Sequence, residues 1–202
     1  MIYRTFATLS TSVVFAAIAA AGTYNQVLSV GDPAPAWTDL PGVDGKKHAL
    51  ADFQGKPALV VVFTCCSCPA AEDYEDKIVA FAKKHADKVG VVAINVNTIK
   101  EDRLDKMKVR AEAKHFTFPF LYDASQKIAK RFGAQYTPEF FVLDKERKVV
   151  YMGAMDDRDP PAVAKMHFVE DAVTAALNNQ KAAIGETLGR GCRIRYLRKR
   201  GE

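Results

Sequence analysis

The hydrophobic positions of the chain switch period along its length. Ala58-Leu59-Val60-Val61-Val62-Phe63 is a continuous, largely β-branched apolar run, the mark of a strand covered on both faces as in a parallel sheet. Just beyond it, Ala71, Tyr74, Ile78, Phe81 and Ala82 recur at three- and four-residue steps, which predicts an amphipathic helix from Pro69 to about His85. Val89 to Asn95 repeats the buried-strand signature. Glu101 to Lys114 reads as a helix with Leu104, Met107 and Ala111 inward, Phe118 to Tyr122 as a short apolar connection, and Ser125 to Phe132 as a small helix. Thr137-Pro138 opens a strand from Glu139 to Leu143, a polar turn at Asp144 to Arg147 closes it, and Val149 to Met152 returns as a hairpin partner. The last helix takes Asp159 as N-cap and Pro160 or Pro161 in its first turn, with Met166, Val169, Val173, Ala176 and Leu177 on one face. Upstream, Gly31 to Pro35 is extended because its prolines block helix, and Lys47 to Phe53 forms a short edge strand after the Asp44-Gly45 turn. Strands alternating with helices, then a hairpin and a final helix, predict one α/β layered domain.

The two ends read differently from this middle. Met1 to Arg4 is short and positive, Phe6 to Ala21 is mostly apolar, and Ala19-Ala20-Ala21 before Gly22 is the small-residue pattern of a cleavage site. Residues 1–21 are therefore expected to be a signal peptide, which implies a secreted or periplasmic protein; an uncleaved N-terminal membrane anchor is the alternative. Residues 22–180 form the domain and residues 181–202 a basic C-terminal tail. The net charge of +5 belongs to that tail: its last 22 residues hold seven basic and two acidic side chains, leaving 22 of each in the other 180. A neutral domain is not read as a nucleic-acid binder. Arg193 to Arg200, interleaved with Ile194, Tyr196 and Leu197, is expected to be a solvated, partly disordered end, with weak contact to a membrane surface or an acidic partner as the other reading.

Four cysteines are few for a disulfide scaffold, and the three crowded into Cys65-Cys66-Ser67-Cys68 cannot each bridge a distant loop, which points to a chemical site. The C-x-x-C spacing falls where a buried strand hands over to a helix. A thiol in the first turn of that helix faces unpaired N–H groups and the positive dipole end, which lowers its pKa, so Cys65 is expected to be the nucleophile. Cys68, one turn on and less exposed, resolves the mixed disulfide. Cys66 is either a spectator turned away from the pair or a third thiol that competes for mixed disulfides or helps hold a soft metal. Cys192 is either a reactive thiol on a mobile tail, the partner of Cys66, or the remote cysteine of a relay. The histidines, at positions 48, 85, 115 and 167, lack ligand spacing and are expected to be solvated or capping, and Met152 and Met155 to be packing residues.

Taken in order, four segments resemble the thioredoxin-like superfamily, within it the redoxin group that includes alkyl hydroperoxide reductase/thiol-specific antioxidant relatives and secreted thioredoxin-like proteins. They are Val30 to Pro35, Val61 to Pro69, Phe118 to Asp123 and Tyr136 to Asp144, and the resemblance covers about residues 28 to 180. It implies a thioredoxin-like three-layer α/β fold with a central mixed β-sheet flanked by helices. It also implies that Pro138 is a cis-proline opposite the cysteines and that the backbone of Thr137 pairs with an extended substrate. The chain departs from thioredoxin proper in its spacer, Cys66-Ser67 in place of Gly-Pro, and in carrying Leu59 where thioredoxin buries an acid. It departs from the peroxiredoxin pattern Pro-x-x-x-Thr-x-x-Cys in having Thr64 adjacent to Cys65.

The resulting expectation is a thiol-disulfide oxidoreductase acting on protein thiols and disulfides, with a redox partner and no organic or metal cofactor. Cys65 and Cys68 are the catalytic pair, Thr137 and Pro138 the substrate-binding pair, and Cys66 and Cys192 accessory thiols. The alternatives are a thiol peroxidase, and a Cu(I)- or Zn(II)-binding chaperone using Cys65, Cys66 and Cys68.

Overall fold

A computed structural model describes residues 22–158 and 163–197. The expected signal peptide, and the expected helix start at Asp159 to Pro161, lie outside them. In chain order the elements are β1 (Leu40–Pro41), β2 (Lys47–His48), β3 (Ala58–Thr64), α1 (Pro69–Lys84), β4 (Val89–Asn95), α2 (Leu104–Ala113), β5 (Phe120–Tyr122), α3 (Lys127–Phe132), β6 (Tyr136–Thr137), β7 (Glu139–Leu143), β8 (Val149–Gly153), α4 (Phe168–Leu177) and β9 (Cys192–Arg193).

The central sheet has strand order β5-β4-β3-β7-β8. β3 runs parallel to β4 in an unbroken register from Ala58↔Val89 to Thr64↔Asn95, and antiparallel to β7 from Leu59↔Leu143 to Phe63↔Glu139. β4 is parallel to β5, and β7 antiparallel to β8, so the sheet is mixed. Every residue of β3 is buried, as its continuous apolar run requires. Its side chains alternate between two cores. Val60 and Val62 pack with Tyr74, Ile78 and Phe81 of α1, Met107 of α2 and Val169, Ala172 and Val173 of α4. Leu59, Val61 and Phe63 pack on the other side with Ile128, Ala129 and Phe132 of α3 and with Trp37 and Phe53. Helices on both faces of a mixed sheet make the expected three-layer thioredoxin-like fold. Each such side chain contributes roughly 1.5–3 kcal/mol by leaving water, so β3, buried on both faces, is the mechanical centre of the domain.

Four local expectations need correction. Lys47 to Phe53 is a two-residue strand followed by a 3-10 turn at Leu50–Phe53, because Leu50 and Phe53 both turn into the core there, a spacing of three that a strand cannot serve. Phe120–Tyr122 is an edge strand beside β4 rather than a connection. Glu101 belongs to a separate 3-10 turn at Lys100–Asp102 that precedes α2. α4 starts at Phe168, and Met166, expected on its buried face, is exposed.

The C-terminal segment differs most from expectation. Residues 185–197 run back across the domain. Met152 N–H donates to Gly185 O and Thr187 N–H to Met152 O, and the Glu186 carboxylate accepts from the N–H groups of Thr23 and Tyr24. Beyond them β9 pairs antiparallel with β6, and Ile194 is buried in the core beside α3. Of the basic side chains read as a solvated tail, Arg193 sits on a docked strand, over the Tyr136 ring at 5.3 Å, whereas Arg198, Lys199 and Arg200 lie outside the described residues.

Candidate redox site

The loop between β3 and α1 carries Cys65, Cys66, Ser67 and Cys68. The helix begins at Pro69, whose fixed φ suits the first helical position and whose missing N–H costs nothing there. Cys68 is consequently the N-cap, and Cys65 stands a full three residues before it, outside the helical turn. The expectation for Cys65 is corrected accordingly. Burial is the largest influence and pushes its thiol up, and the Asp102 carboxylate adds to this, while the neighbouring Thr137 and Ser67 hydroxyls pull the other way. Cys65 and Cys68 are equally hidden at 2% exposure, so Cys68 is not the less accessible of the two.

Asp102, fully buried in the 3-10 turn before α2, fixes the loop. Its Oδ1 accepts from the N–H of Cys66 (2.6 Å) and of Ser67 (3.0 Å), and its Oδ2 accepts from the Ser67 hydroxyl (2.6 Å). Asn95, at the end of β4, donates to Asp102 O at 3.0 Å and ties the turn to the sheet. α2 is held to α1 by the Glu75 carboxylate, which accepts from Arg110 Nε at 2.8 Å. Sequence reading passed over Asp102 as a polar residue on a helix. Its only signal is a carboxylate within the predicted helix Glu101 to Lys114, which spacing alone does not distinguish from a solvated face.

The loop turns its cysteines to opposite sides. Cys66 is half-buried against the core that contains α1 and α2, with Asn95 Nδ2 at 3.8 Å from its sulfur, and burial pushes its thiol up to about 12. Cys65 and Cys68 face the other way, onto β6. Cys65 Sγ lies 3.4 Å from Thr137 Oγ1, and Cys68 Sγ lies 3.0 Å from Thr137 O. The Thr137-Pro138 peptide is cis, as the resemblance implied, and Thr137 adjoins both cysteines.

The disulfide is Cys68–Cys192, with Cα atoms 6.0 Å apart. Cys65 and Cys66 are free thiols. Of the alternatives open for Cys192, pairing with Cys66 is not the one observed: Cys66 points to the far side of the loop, while β9 delivers Cys192 directly opposite Thr137 in the β6–β9 register. Among the described residues no group of three or more His, Cys, Asp or Glu side chains is arranged to hold a metal ion. The three loop thiols proposed for a chaperone do not converge. Met152 and Met155 are buried packing residues, and His85 contacts the Glu170 carboxylate at 3.0 Å rather than standing in a ligand cluster.

A second residue escaped the sequence reading. Glu139, the first residue of β7, is 6% exposed, and its Oε2 accepts from the N–H of Gln135 (2.6 Å) and Tyr136 (2.8 Å), shaping the turn that presents Thr137. Burial lifts its carboxyl to about 7. A charge at the head of the otherwise apolar run Glu139 to Leu143 was the available signal.

A thioredoxin-like sheet whose buried strand delivers cysteines to a cis-proline edge defines a thiol redox protein. The chain belongs to the Redoxin family, whose model matches residues 29–167. Among curated proteins it is similar to a Mycobacterium tuberculosis protein named as a peroxiredoxin, at 29% identity over 139 residues covering 61% of this chain and 83% of that one. It is also similar to the thiol:disulfide interchange protein DsbE of Pseudomonas fluorescens, at 32% over 154 residues covering 71% and 79%. A crystal structure of a hypothetical protein from Sinorhizobium meliloti superposes with a TM-score of 0.79 at 32% identity, over 85% of this chain and 97% of that one. The chain is thus an oxidoreductase-family protein whose relatives carry both thiol-disulfide and peroxiredoxin names. Among the described residues no helix is long and apolar enough to cross a membrane.

Proposed function

We propose that this protein is a thiol-disulfide oxidoreductase acting on protein disulfides, with Cys65 and Cys68 as its catalytic thiols and Cys192 as the thiol that takes over the disulfide from Cys65. The Cys65 thiolate attacks a substrate disulfide, forming a mixed disulfide and expelling one substrate thiolate. Cys68 then attacks Cys65 Sγ, which releases the second substrate thiolate and leaves Cys65–Cys68. Cys192 attacks Cys68 Sγ in turn, giving Cys68–Cys192 and returning Cys65 to its thiol form. Two electrons pass from the enzyme's thiols to the substrate, and a dithiol redox partner restores the reduced chain. The supporting observation is a Cys68–Cys192 disulfide beside a free Cys65, all bordering Thr137. The Cys68–Cys192 disulfide and the N-terminal signal read from residues 1–21 together favour a secreted or periplasmic setting.

Insulin reduction by single Cys→Ser variants tests this. Cys65→Ser is expected to lose at least 100-fold in turnover, and Cys192→Ser to complete a first turnover while trapping Cys65–Cys68. Full turnover by Cys65→Ser would sink the mechanism. The peroxiredoxin name of the Mycobacterium relative favours a second reading, thiol peroxidase, in which peroxide first oxidises Cys65 to a sulfenic acid that Cys68 condenses with. Faster oxidation of Cys65 by peroxide than by a protein disulfide would favour that reading.

A further inference from the structure

β9 occupies the edge of β6 at the residue beside the cis-proline. Thr137 pairs with Cys192, Tyr136 pairs with Arg193, and Ile194 N–H donates to Gln135 O at 2.9 Å. The Arg193 guanidinium covers the Tyr136 ring, and Ile194 fills an apolar position at 8% exposure. Farther on, Tyr196 OH donates to Ala134 O (2.6 Å) and Leu197 N–H to Gln126 Oε1 (2.7 Å). Gly191 has φ of +140, and a Cβ there would stand 2.1 Å from Thr137 O, so close approach at this point requires glycine. The segment therefore makes every type of contact that strand addition supplies: backbone pairing, a covered ring and an apolar pocket.

We propose that β9 is a tethered occupant of the substrate edge, and that the protein substrates are extended segments of the same chemistry: a small residue, a cysteine, a basic residue and an aliphatic residue. This rests on the oxidoreductase reading above. In the oxidised chain the Cys68–Cys192 bond locks β9 in place and excludes such segments. The Thr137 hydroxyl then faces Cys192 O at 3.5 Å as well as the Cys65 sulfur. Release requires two electrons from a dithiol partner. One of its thiolates attacks Cys192 Sγ, the more exposed sulfur of the pair, and Cys68 leaves as a thiolate at the helix N-terminus. The partner's second thiol attacks its own mixed-disulfide sulfur, freeing the Cys192 thiol and closing the partner's disulfide. Substrate then pairs with Thr137, its cysteine opposite that residue and between the two enzyme sulfurs.

The test uses the reduced full chain and two chromogenic mixed-disulfide peptides, Gly-Cys-Arg-Ile-Arg-Tyr and Gly-Cys-Glu-Asp-Arg-Tyr, each joined to thionitrobenzoate. Wild type is expected to favour the first by at least tenfold in kcat/KM. Gly191→Val, which pushes β9 off Thr137, is expected to lower KM for the first peptide at least threefold, read on the first release of thionitrobenzoate, which precedes any use of Cys192. Ile194→Asp, acting on the apolar contact instead, is expected to lower it similarly and stands in should Gly191→Val fail to fold. Equal kcat/KM for the two peptides overturns the proposal, as does an unchanged KM in a folded variant. Failure of the underlying reading shows separately, as peptide turnover that survives Cys65→Ser.

Discussion

Two strand pairings meet at the redox site and are held by different physics. β3 and β4 pair over seven residues, every one buried, with side chains feeding the two cores. β6 and β9 pair over two residues, one partner strand is half-buried or exposed, and a covalent bond to the loop supplies what burial does not. The first pairing persists as long as water is excluded. The second depends on the oxidation state of one pair of sulfurs, so the same domain has a permanent scaffold and a strand whose attachment is chemical. Substitutions that strike one and spare the other should show this separation.

The scaffold should be the more sensitive. Phe63 is fully buried, with its ring 5.1 Å from that of Phe132 and 5.5 Å from that of Phe141, both at edge-on angles. Phe63→Ala removes those contacts and leaves a cavity between rigid neighbours, costing about 3–5 kcal/mol. Urea denaturation of the oxidised protein measures it. A loss under about 1 kcal/mol would mean that the β3 core collapses freely and is not the rigid half of the pair.

The strap should respond less, and locally. Cys192→Ser opens a closure spanning 124 residues, and removing such a bond costs about 2–4 kcal/mol in unfolding free energy. Far-UV circular dichroism should stay that of the folded protein. Hydrogen exchange should accelerate at the amide of Ile194, which bonds Gln135 O, while amides of β3 and β4 remain protected. Equal acceleration in both regions would erase the distinction between scaffold and strap.

The scaffold was legible in the sequence because burial writes itself as apolar periodicity. Ala58 to Phe63 and Val89 to Asn95 are continuous runs, and the three- and four-residue spacing of Ala71 to Ala82 matches the buried face of α1. The strap was not legible, for equally physical reasons. A two-residue strand has no period, and its arginines make it look solvated until Tyr136 and Thr137 are found beneath it. The site was legible in part. Cysteine spacing and the Thr137-Pro138 motif located it, whereas the pairing of Cys68 with Cys192 depends on a strand delivered from 124 residues away, and no local pattern encodes that. Asp102 is similar: its three hydrogen bonds to Cys66 and Ser67 exist only once α2 has docked on α1.

Glu139 joins the two regions and offers the finest probe of the boundary between them. It pairs with Phe63 in the scaffold register, while its carboxylate holds the Gln135 and Tyr136 N–H groups at the start of the strap's edge. Burial, aided by the charge of Glu186, lifts its carboxyl from an ordinary value of 4.5 to about 7. A raised carboxyl pKa means that the folded chain holds its proton where the unfolded chain has released it. The associated stability is complete below about pH 4.5, declines as pH rises through about 7, and is gone above that. The loss between pH 5 and pH 8 should be on the order of 2 kcal/mol. Glu139→Gln keeps an oxygen to accept from both N–H groups but cannot ionise, so its stability should fall less across that interval. Paired urea titrations of the two proteins at pH 5 and pH 8 isolate the difference. The same pH slope in both would mean that Glu139 ionises as easily folded as unfolded, and that water reaches the junction between scaffold and strap.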